Sequence, residues 1–405
     1  MKPIVRAGRM KPVHSDIRGP LFVEAMKRQK QGIDILKLNT GNPATFGFGL
    51  PDSIKNALME HMQDGVGYCD FKGMPQARQA ICDYETSKGI KGITSDDVFI
   101  GNGVSEVVSF ALTPLLNDGD EVLVPSPSYS LWGNSVYLED GKPVFYTCDE
   151  QANWYPDIQD IRSKITDKTK AIVIINPNNP TGVLYPKELL LEIIQIARES
   201  GLLIFADEIY DRLVMDGKQH ISLASLTEDV PVITLNGLSK SHCLCGYRCG
   251  WMVISGPREL TEDYRQGIIQ LTSLRLCANT MAQIVIPAAL DDMETPASMV
   301  RPGGRIYEQR EATVRELEKI DGLSFVKNDA AFYVFPKLDV KKFNITNDKQ
   351  FAHDLLDATN ILLVPGSGFD WKDPDHFRIV MLPQADILSD AIRRMGTFLD
   401  GYKQK

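Results

Sequence analysis

The chain has 405 residues, 43% hydrophobic and 24% charged, with a net charge of -9 at pH 7. That length exceeds what one compact core usually serves, so two domains are expected, and the acidic balance argues against holding nucleic acid by bulk charge. The longest apolar runs, "AIVII" at 171–175 and "LLIFA" at 202–206, fall far short of the ~20 residues that cross a bilayer, so no membrane partner is expected. The N-terminus, "MKPIVRAGRMKPVHS", lacks the apolar stretch of a secretory signal. Seven scattered cysteines, an odd number, argue against a disulfide framework and for a reducing cytoplasm.

The first ~45 residues carry few strong elements and are expected to pack beside a C-terminal domain. From there short apolar strands alternate with amphipathic helices. "DVFIGNG" (97–103) predicts a strand entering a turn, 104–117 a helix, and "EVLVPSP" (121–127) a strand. "AIVIINP" (171–177) predicts a buried strand, and 187–201 has helical periodicity with a glycine stop. "LLIFADE" (202–208) and "VPVITLNG" (230–237) follow as strands. Continuous apolar strands alternating with helices imply an α/β fold whose mostly parallel sheet is covered on both faces. Beyond residue 300 the pattern changes: a charged, partly exposed helix (303–320), shorter strands at 330–338 and 376–382, and a closing helix (385–402). The expected division is a large domain, 46–300, and a smaller α+β domain formed by 1–45 and 301–405.

Ligands of open parallel sheets sit outside the carboxyl ends of the strands. Five polar sequences fall there: "NG" (102–103), "PSPSY" (125–129), "NPNNPTG" (176–182), "DEIY" (207–210) and "LSK" (238–240). Asp207 ends an apolar strand, where a carboxylate either caps the next turn or needs a cation. Tyr210 packs or offers its hydroxyl. Asn178 and Asn179 build a turn or donate amide protons. Gly103 before a helix leaves amides free for an anion, Arg248 is a fork suited to phosphate, and Lys240 at a strand end can form a Schiff base. Those are the parts a pyridoxal phosphate site requires.

"NPNNPTG", "ADEIY", "LSKSHCLCGYRCGW" and "FRIVMLP" together resemble the signature of fold-type I, class I aminotransferases, in order and spacing, over nearly the whole chain. The resemblance implies a large domain with a mostly parallel seven-stranded sheet plus a smaller α+β domain, and pyridoxal 5'-phosphate as cofactor. It implies that Lys240 forms the internal aldimine and shuttles the substrate proton, that Asp207 pairs with the pyridinium nitrogen, and that Tyr210 and Asn179 donate to the ring oxygen. Tyr129 would stack on the ring; Gly103, Val104, Ser239 and Arg248 would hold the phosphate. Tyr68 would reach the phosphate of a neighbouring subunit, so the active site of a homodimer is shared. Arg378, Gly41 and Asn179 would grip the substrate α-carboxylate. Gly237 stands where the family often has a hydroxyl residue, which puts one phosphate contact in doubt.

Cys243, Cys245 and Cys249 lie between Lys240 and Arg248 or just beyond, with His242 alone among them and no second ligand pair following, so packing residues are expected and no metal. "SDIRGPLFVEA" (15–25) and "GYCDFKG" (67–73) are most similar to bacterial alanine aminotransferases using glutamate and pyruvate. In that setting Arg18 binds the distal carboxylate of glutamate; otherwise it is a surface arginine on a mobile segment. The expected reaction is ping-pong exchange of an amino group between alanine/pyruvate and glutamate/2-oxoglutarate. An aromatic or branched-chain aminotransferase, or a C–S lyase, would share the cofactor. A nicotinamide dehydrogenase would need a G-x-G-x-x-G after a strand, which is missing, and a transcriptional regulator would need a DNA-binding extension.

Overall fold

The computed structural model describes residues 2–405. Its central sheet contains β1 (Val98–Asn102), β2 (Glu121–Ser126), β3 (Lys142–Asp149), β4 (Tyr155–Pro156), β5 (Thr169–Ile175), β6 (Leu203–Asp207), β7 (Val232–Gly237) and β8 (Cys249–Ser255). Their order is β1-β8-β7-β6-β5-β2-β3-β4. Neighbours pair in parallel from β7 across to β3, whereas β8 is antiparallel to both its neighbours and β4 is antiparallel to β3. Seven strands of five to eight residues thus form the sheet, and the two-residue β4 adds an eighth at one edge. Side chains alternate between two cores: Ile172, Ile174, Ile204 and Val232 enter one, and Ala171, Val173, Ile175, Phe205 and Ile233 the other. A sheet buried on both faces requires the unbroken apolar strands that the sequence contains.

The helices that matter for the site are α1 (Pro20–Lys30), α2 (Pro75–Ser87), α3 (Val104–Leu112), α4 (Leu131–Leu138), α5 (Arg305–Leu317), α6 (Asp348–Thr359) and α7 (Ala385–Leu399). A separate core joins Leu38, Leu317 and Val334 to Phe351, Phe377, Ile379, Leu388 and Met395. Three strands form a small sheet beside it, β9 (Tyr333–Val334), β10 (Val364–Pro365) and β11 (Phe377–Val380), with β11 between the other two. The early chain joins this body: Leu36 pairs with Ile361, Ala25 packs with Leu356 and Leu362, and Arg28 bridges Glu24 to Asp357. Among the described residues no single helix is long and apolar enough to cross a membrane.

Two local expectations are corrected and a third is refined. The helix expected over 104–117 ends at Leu112, because Pro114 has no amide to continue the ladder. The strand expected over 330–338 is two short pieces, Tyr333–Val334 and Lys337–Leu338, separated at Pro336. The charged helix α5 is partly exposed as expected, at Glu308 and Arg315, but it also buries charge: Arg310 is fully enclosed, its guanidinium 2.6 Å from both oxygens of Asp216. A bidentate pair makes that burial tolerable.

The N-terminal segment is pinned at His14. Its Nε2 lies 3.0 Å from Asp370 and its Nδ1 3.5 Å from Asp16, while its backbone exchanges hydrogen bonds with the Asn134 side chain on α4. Asp16, then Asp370, raises the His14 pKa to about 9. A histidine raised in the fold stabilises below its ordinary pKa, and that contribution is lost as pH rises through the folded value. Limited proteolysis should therefore release the N-terminal segment several-fold faster above about pH 9 than at neutrality, and His14→Ala should show the fast rate already at neutral pH. Equal rates for both proteins at both pH values would remove His14 as the anchor.

Candidate active site

Because β8 runs against its neighbours, it begins at the edge where β1, β2, β5, β6 and β7 end. That single reversal places Arg248, the residue before β8, beside the loops that leave the parallel strands. Gly103, Tyr129, Asn179, Asp207 and Lys240 all follow or finish strands at this edge.

One end of the cleft is built for an anion. Gly103 has φ +83°, and a Cβ there would fall 2.5 Å from Nη2 of Arg248. Arg248 itself is left-handed (φ 57°), and its Nη1 donates to the Cys245 carbonyl. No side chain caps α3 at Gly103, and the Glu106 amide already donates to the Gly103 carbonyl at 3.1 Å, so the amides of Val104 and Ser105 are the ones open to a ligand. A Cβ on Gly250 would lie 2.4 Å from the Val104 amide nitrogen, so backbone meets backbone here. At Gly237 a Cβ would lie 2.6 Å from the Cys249 carbonyl, which explains why no hydroxyl side chain stands at that position.

The middle of the cleft holds two charged groups with no ionic partner. Asp207 is 5% exposed, and no ammonium or guanidinium lies within ion-pair distance among the described residues. Its Oδ2 accepts from the Trp132 indole at 3.0 Å, and burial raises its pKa to about 6. Lys240 Nζ donates to the Gly41 carbonyl at 3.0 Å and lies 5.9 Å from the Phe332 ring centroid. Burial disfavours its charge, Tyr333, Cys245 and Tyr129 favour it, and the net direction is upward. Tyr210 Oη is 2.9 Å from Tyr333 Oη.

The other end holds Arg378, 1% exposed. Its Nη1 donates to Asn179 Oδ1 at 2.9 Å and its Nη2 to the Asn39 carbonyl, while its Nε has no partner. The rings of Tyr333 and Phe369 flank it, each centroid 4.6 Å from the guanidinium carbon. No carboxylate of the described residues pairs with it, and burial lowers its pKa. A buried guanidinium facing only amide and carbonyl oxygens is a site for a ligand carboxylate.

Residues 33–392 match the family described as aminotransferase class I and II. The chain belongs to that family. It is 50% identical over 404 residues to the glutamate-pyruvate aminotransferase AlaA of Haemophilus influenzae, with both chains covered in full. It superposes on the crystal structure of an Escherichia coli aminotransferase with a TM-score of 0.98 at 47% identity, covering 100% of each chain. It superposes on an alanine aminotransferase from Pyrococcus furiosus with a TM-score of 0.93 at 40% identity, covering 98% of this chain and 100% of that one.

Two residues expected at an aminotransferase site stand apart from the cluster. Tyr68 is 84% exposed. Arg18 is exposed, although the carbonyl of its neighbour Ile17 accepts from Asn39 Nδ2 at 2.8 Å, one residue step from the Arg378 contact. Of the three cysteines, Cys243 and Cys249 are buried as packing residues, whereas Cys245 is partly exposed and its thiol donates to the Ser239 carbonyl at 3.0 Å beside Lys240. Trp132, Tyr333 and Asn39 carry no motif, yet each touches a site residue. Only Trp132 had a usable signal: a buried indole N–H needs an acceptor, and it follows the Tyr129 loop closely.

Behind the site, Lys88 closes α2 with its ammonium 2.7 Å from Glu85, 2.8 Å from Glu208 and 3.2 Å from Asp211. Asp211 also accepts from Tyr84 and Asn236, and Asn236 Oδ1 accepts from the Gly237 amide. This network ties the loop after Asp207 to the strand end before Lys240.

The raised Asp207 pKa carries a sign. The folded chain keeps this proton longer than the unfolded chain, so ionising Asp207 costs stability as pH rises from about 4 to about 6. The displacement amounts to about 3 kcal/mol. Asp207→Asn should therefore stabilise the ligand-free protein relative to the parent by an amount near zero at about pH 3, growing through about pH 5 and levelling above about pH 6, measured by urea denaturation. A difference independent of pH would contradict an unpaired carboxylate.

Proposed function

We propose that this aminotransferase uses pyridoxal 5'-phosphate to move an amino group between L-alanine/pyruvate and L-glutamate/2-oxoglutarate. The observation that carries the reading is a buried carboxylate without a cation, Asp207, near a half-buried lysine without an acid, Lys240. Asp207 would face the ring nitrogen of pyridoxal phosphate and Lys240 its aldehyde, so each would find there the partner the chain does not give it. When bound, the cofactor supplies an electron sink for the pair left as the substrate Cα loses its proton.

The chain's residues divide the remaining work. Asp207, steadied by Trp132, holds the ring-nitrogen proton in place. Tyr210 and Asn179 donate to the ring oxygen, and Tyr129 covers the ring face. Gly103, Val104, Ser239 and Arg248 take the phosphate. Arg378, with Gly41 and Asn179, fixes the α-carboxylate and thereby the direction of Cα–H, and Lys240 takes that proton and returns it. Arg18 meets the distal carboxylate of glutamate. The small domain, with 1–45 and 301–405, carries Arg18, Gly41 and Arg378, and the large domain, 46–300, carries the cofactor residues.

Tyr68 supports a homodimer that completes the phosphate site. Val66 (77% exposed), Tyr68 and Leu274 (82%) lie on adjoining segments, joined by Thr280 Oγ1 donating to the Gly65 carbonyl at 2.7 Å. An exposed apolar group of this kind marks a protein interface. Seven unpaired cysteines support a reducing, cytoplasmic setting.

The purified protein should show a visible band that L-glutamate alone bleaches and pyruvate restores. A band indifferent to glutamate would move the substrate to an aromatic or branched-chain pair or to C–S elimination. A colourless protein that takes up no pyridoxal phosphate would end the cofactor reading. Deleting residues 1–20 should raise the KM for glutamate at least tenfold more than that for alanine, a difference of about 1.4 kcal/mol or more; equal effects would take Arg18 out of the site.

A further inference from the structure

Tyr333 lies on β9, paired with Val380 two residues beyond Arg378, and is 2% exposed. It stands where three parts of the site meet. Its hydroxyl is 2.9 Å from Tyr210 Oη. A Cβ on Gly41 would fall 2.3 Å from that same hydroxyl, so the oxygen fills the space a side chain at 41 would need. The Arg378 guanidinium carbon sits 4.6 Å from its ring centroid.

Proton bookkeeping separates the two phenols. Two hydroxyls in contact share one hydrogen bond, so one of their two protons is left for another acceptor. Burial, and then Tyr333, pushes the Tyr210 pKa well above the ordinary phenol range, so Tyr210 keeps its proton. If Tyr210 gives that proton to a ligand oxygen, its own oxygen must accept from Tyr333, its only hydrogen-bond partner among the described residues. The direction of the chain is then fixed: Tyr333 donates to Tyr210, and Tyr210 donates outward. Successive donors polarise one another in a dry site. A cation beside the Tyr333 ring strengthens its O–H as a donor, and a carboxylate that neutralises the cation weakens it.

We propose that Tyr333 is a positioning residue of the reaction: its hydroxyl aims Tyr210 at the cofactor's ring oxygen and makes the basicity there depend on whether Arg378 holds a carboxylate. The inference rests on the pyridoxal phosphate reading. It adds a route from the carboxylate site to the ring oxygen that passes through Tyr210, separate from the one through Asn179.

The test is the pH midpoint of the visible band in the cofactor-loaded protein, with and without propionate as an unreactive carboxylate. Tyr333→Phe removes one oxygen and keeps the ring, and a thermal scan verifies its fold. Its midpoint should rise by about one pH unit, because the ring oxygen loses polarised donation. Propionate should raise the midpoint of the parent and move that of Tyr333→Phe by less than half as much. Tyr210→Phe should shift the midpoint too, and adding Tyr333→Phe to it should shift it no further, since Tyr333 acts through Tyr210. A midpoint unmoved in Tyr333→Phe, or additive shifts in the double variant, would overturn the inference while leaving the cofactor reading intact. Loss of stability or of cofactor affinity alone, with the midpoint unmoved, would make Tyr333 structural and overturns it equally. A parent protein with no visible band would fail both.

Discussion

Everything at the strand edge depends on one constraint: charges are held out of water there without partners in the chain. Asp207 accepts only neutral N–H groups, from the Trp132 indole and the Ile209 amide, Lys240 faces a carbonyl, and Arg378 faces an amide oxygen and a carbonyl with its Nε unused. Each such group costs several kcal/mol to bury unless something compensates. A fold tolerates that only where the surroundings forbid relaxation. The Lys88 network provides this behind Asp207, since Glu208 and Asp211 are locked by one ammonium and by hydrogen bonds from Ser222, Tyr84 and Asn236. Three carboxylates around one lysine are themselves imperfectly balanced, and burial raises the Glu85 pKa to about 7. The molecule thus concentrates satisfied charge one layer below a site whose charges await a ligand.

The second determinant is topological. A wholly parallel sheet would bring only strand ends to the cleft. Inserting β8 in the opposite sense brings a strand start, and with it Arg248, next to Gly103 at the end of β1. The cost of the close approach is that Gly103, Gly237 and Gly250 admit no side chain: a Cβ at each would come within 2.6 Å of a neighbouring atom. These glycines are legible in the sequence, but their meaning is not, because each clash is with an atom of another strand or loop.

What the sequence made legible follows the same division. Asp207, Lys240, Asn179 and Gly103 were visible because each is a polar or permissive residue at the end of an apolar strand, a pattern local enough to see in a few residues. The stop at Pro114 and the break at Pro336 were equally local, and both outweigh the apolar periodicity that continues through them. Tyr333, Trp132 and Asn39 were not visible, because their roles lie in contacts with residues 123, 75 and 339 positions away. The burial of Arg310 on α5 was hidden for the same reason: a run so rich in charge looks solvated until Asp216, 94 residues earlier, is found to neutralise Arg310. Cys245 shows the limit of composition, since three neighbouring cysteines share a stretch and only one of them is partly exposed beside Lys240.

The two arginines given to substrate carboxylates differ in a way that bears on how one site serves a short and a long amino acid. Arg378 is enclosed, so leaving it unpaired is costly, and in the proposed role it would demand an α-carboxylate of every substrate. Arg18 is exposed, so its charge stays hydrated when the substrate has no second carboxylate, and alanine incurs no penalty there. The two are not independent: Arg378 donates to the Asn39 carbonyl, and the Asn39 amide donates to the carbonyl of Ile17, the residue before Arg18. In the proposed roles the obligatory contact would be the enclosed one and the optional contact would sit on the segment anchored through His14, an arrangement suited to both a short and a long substrate.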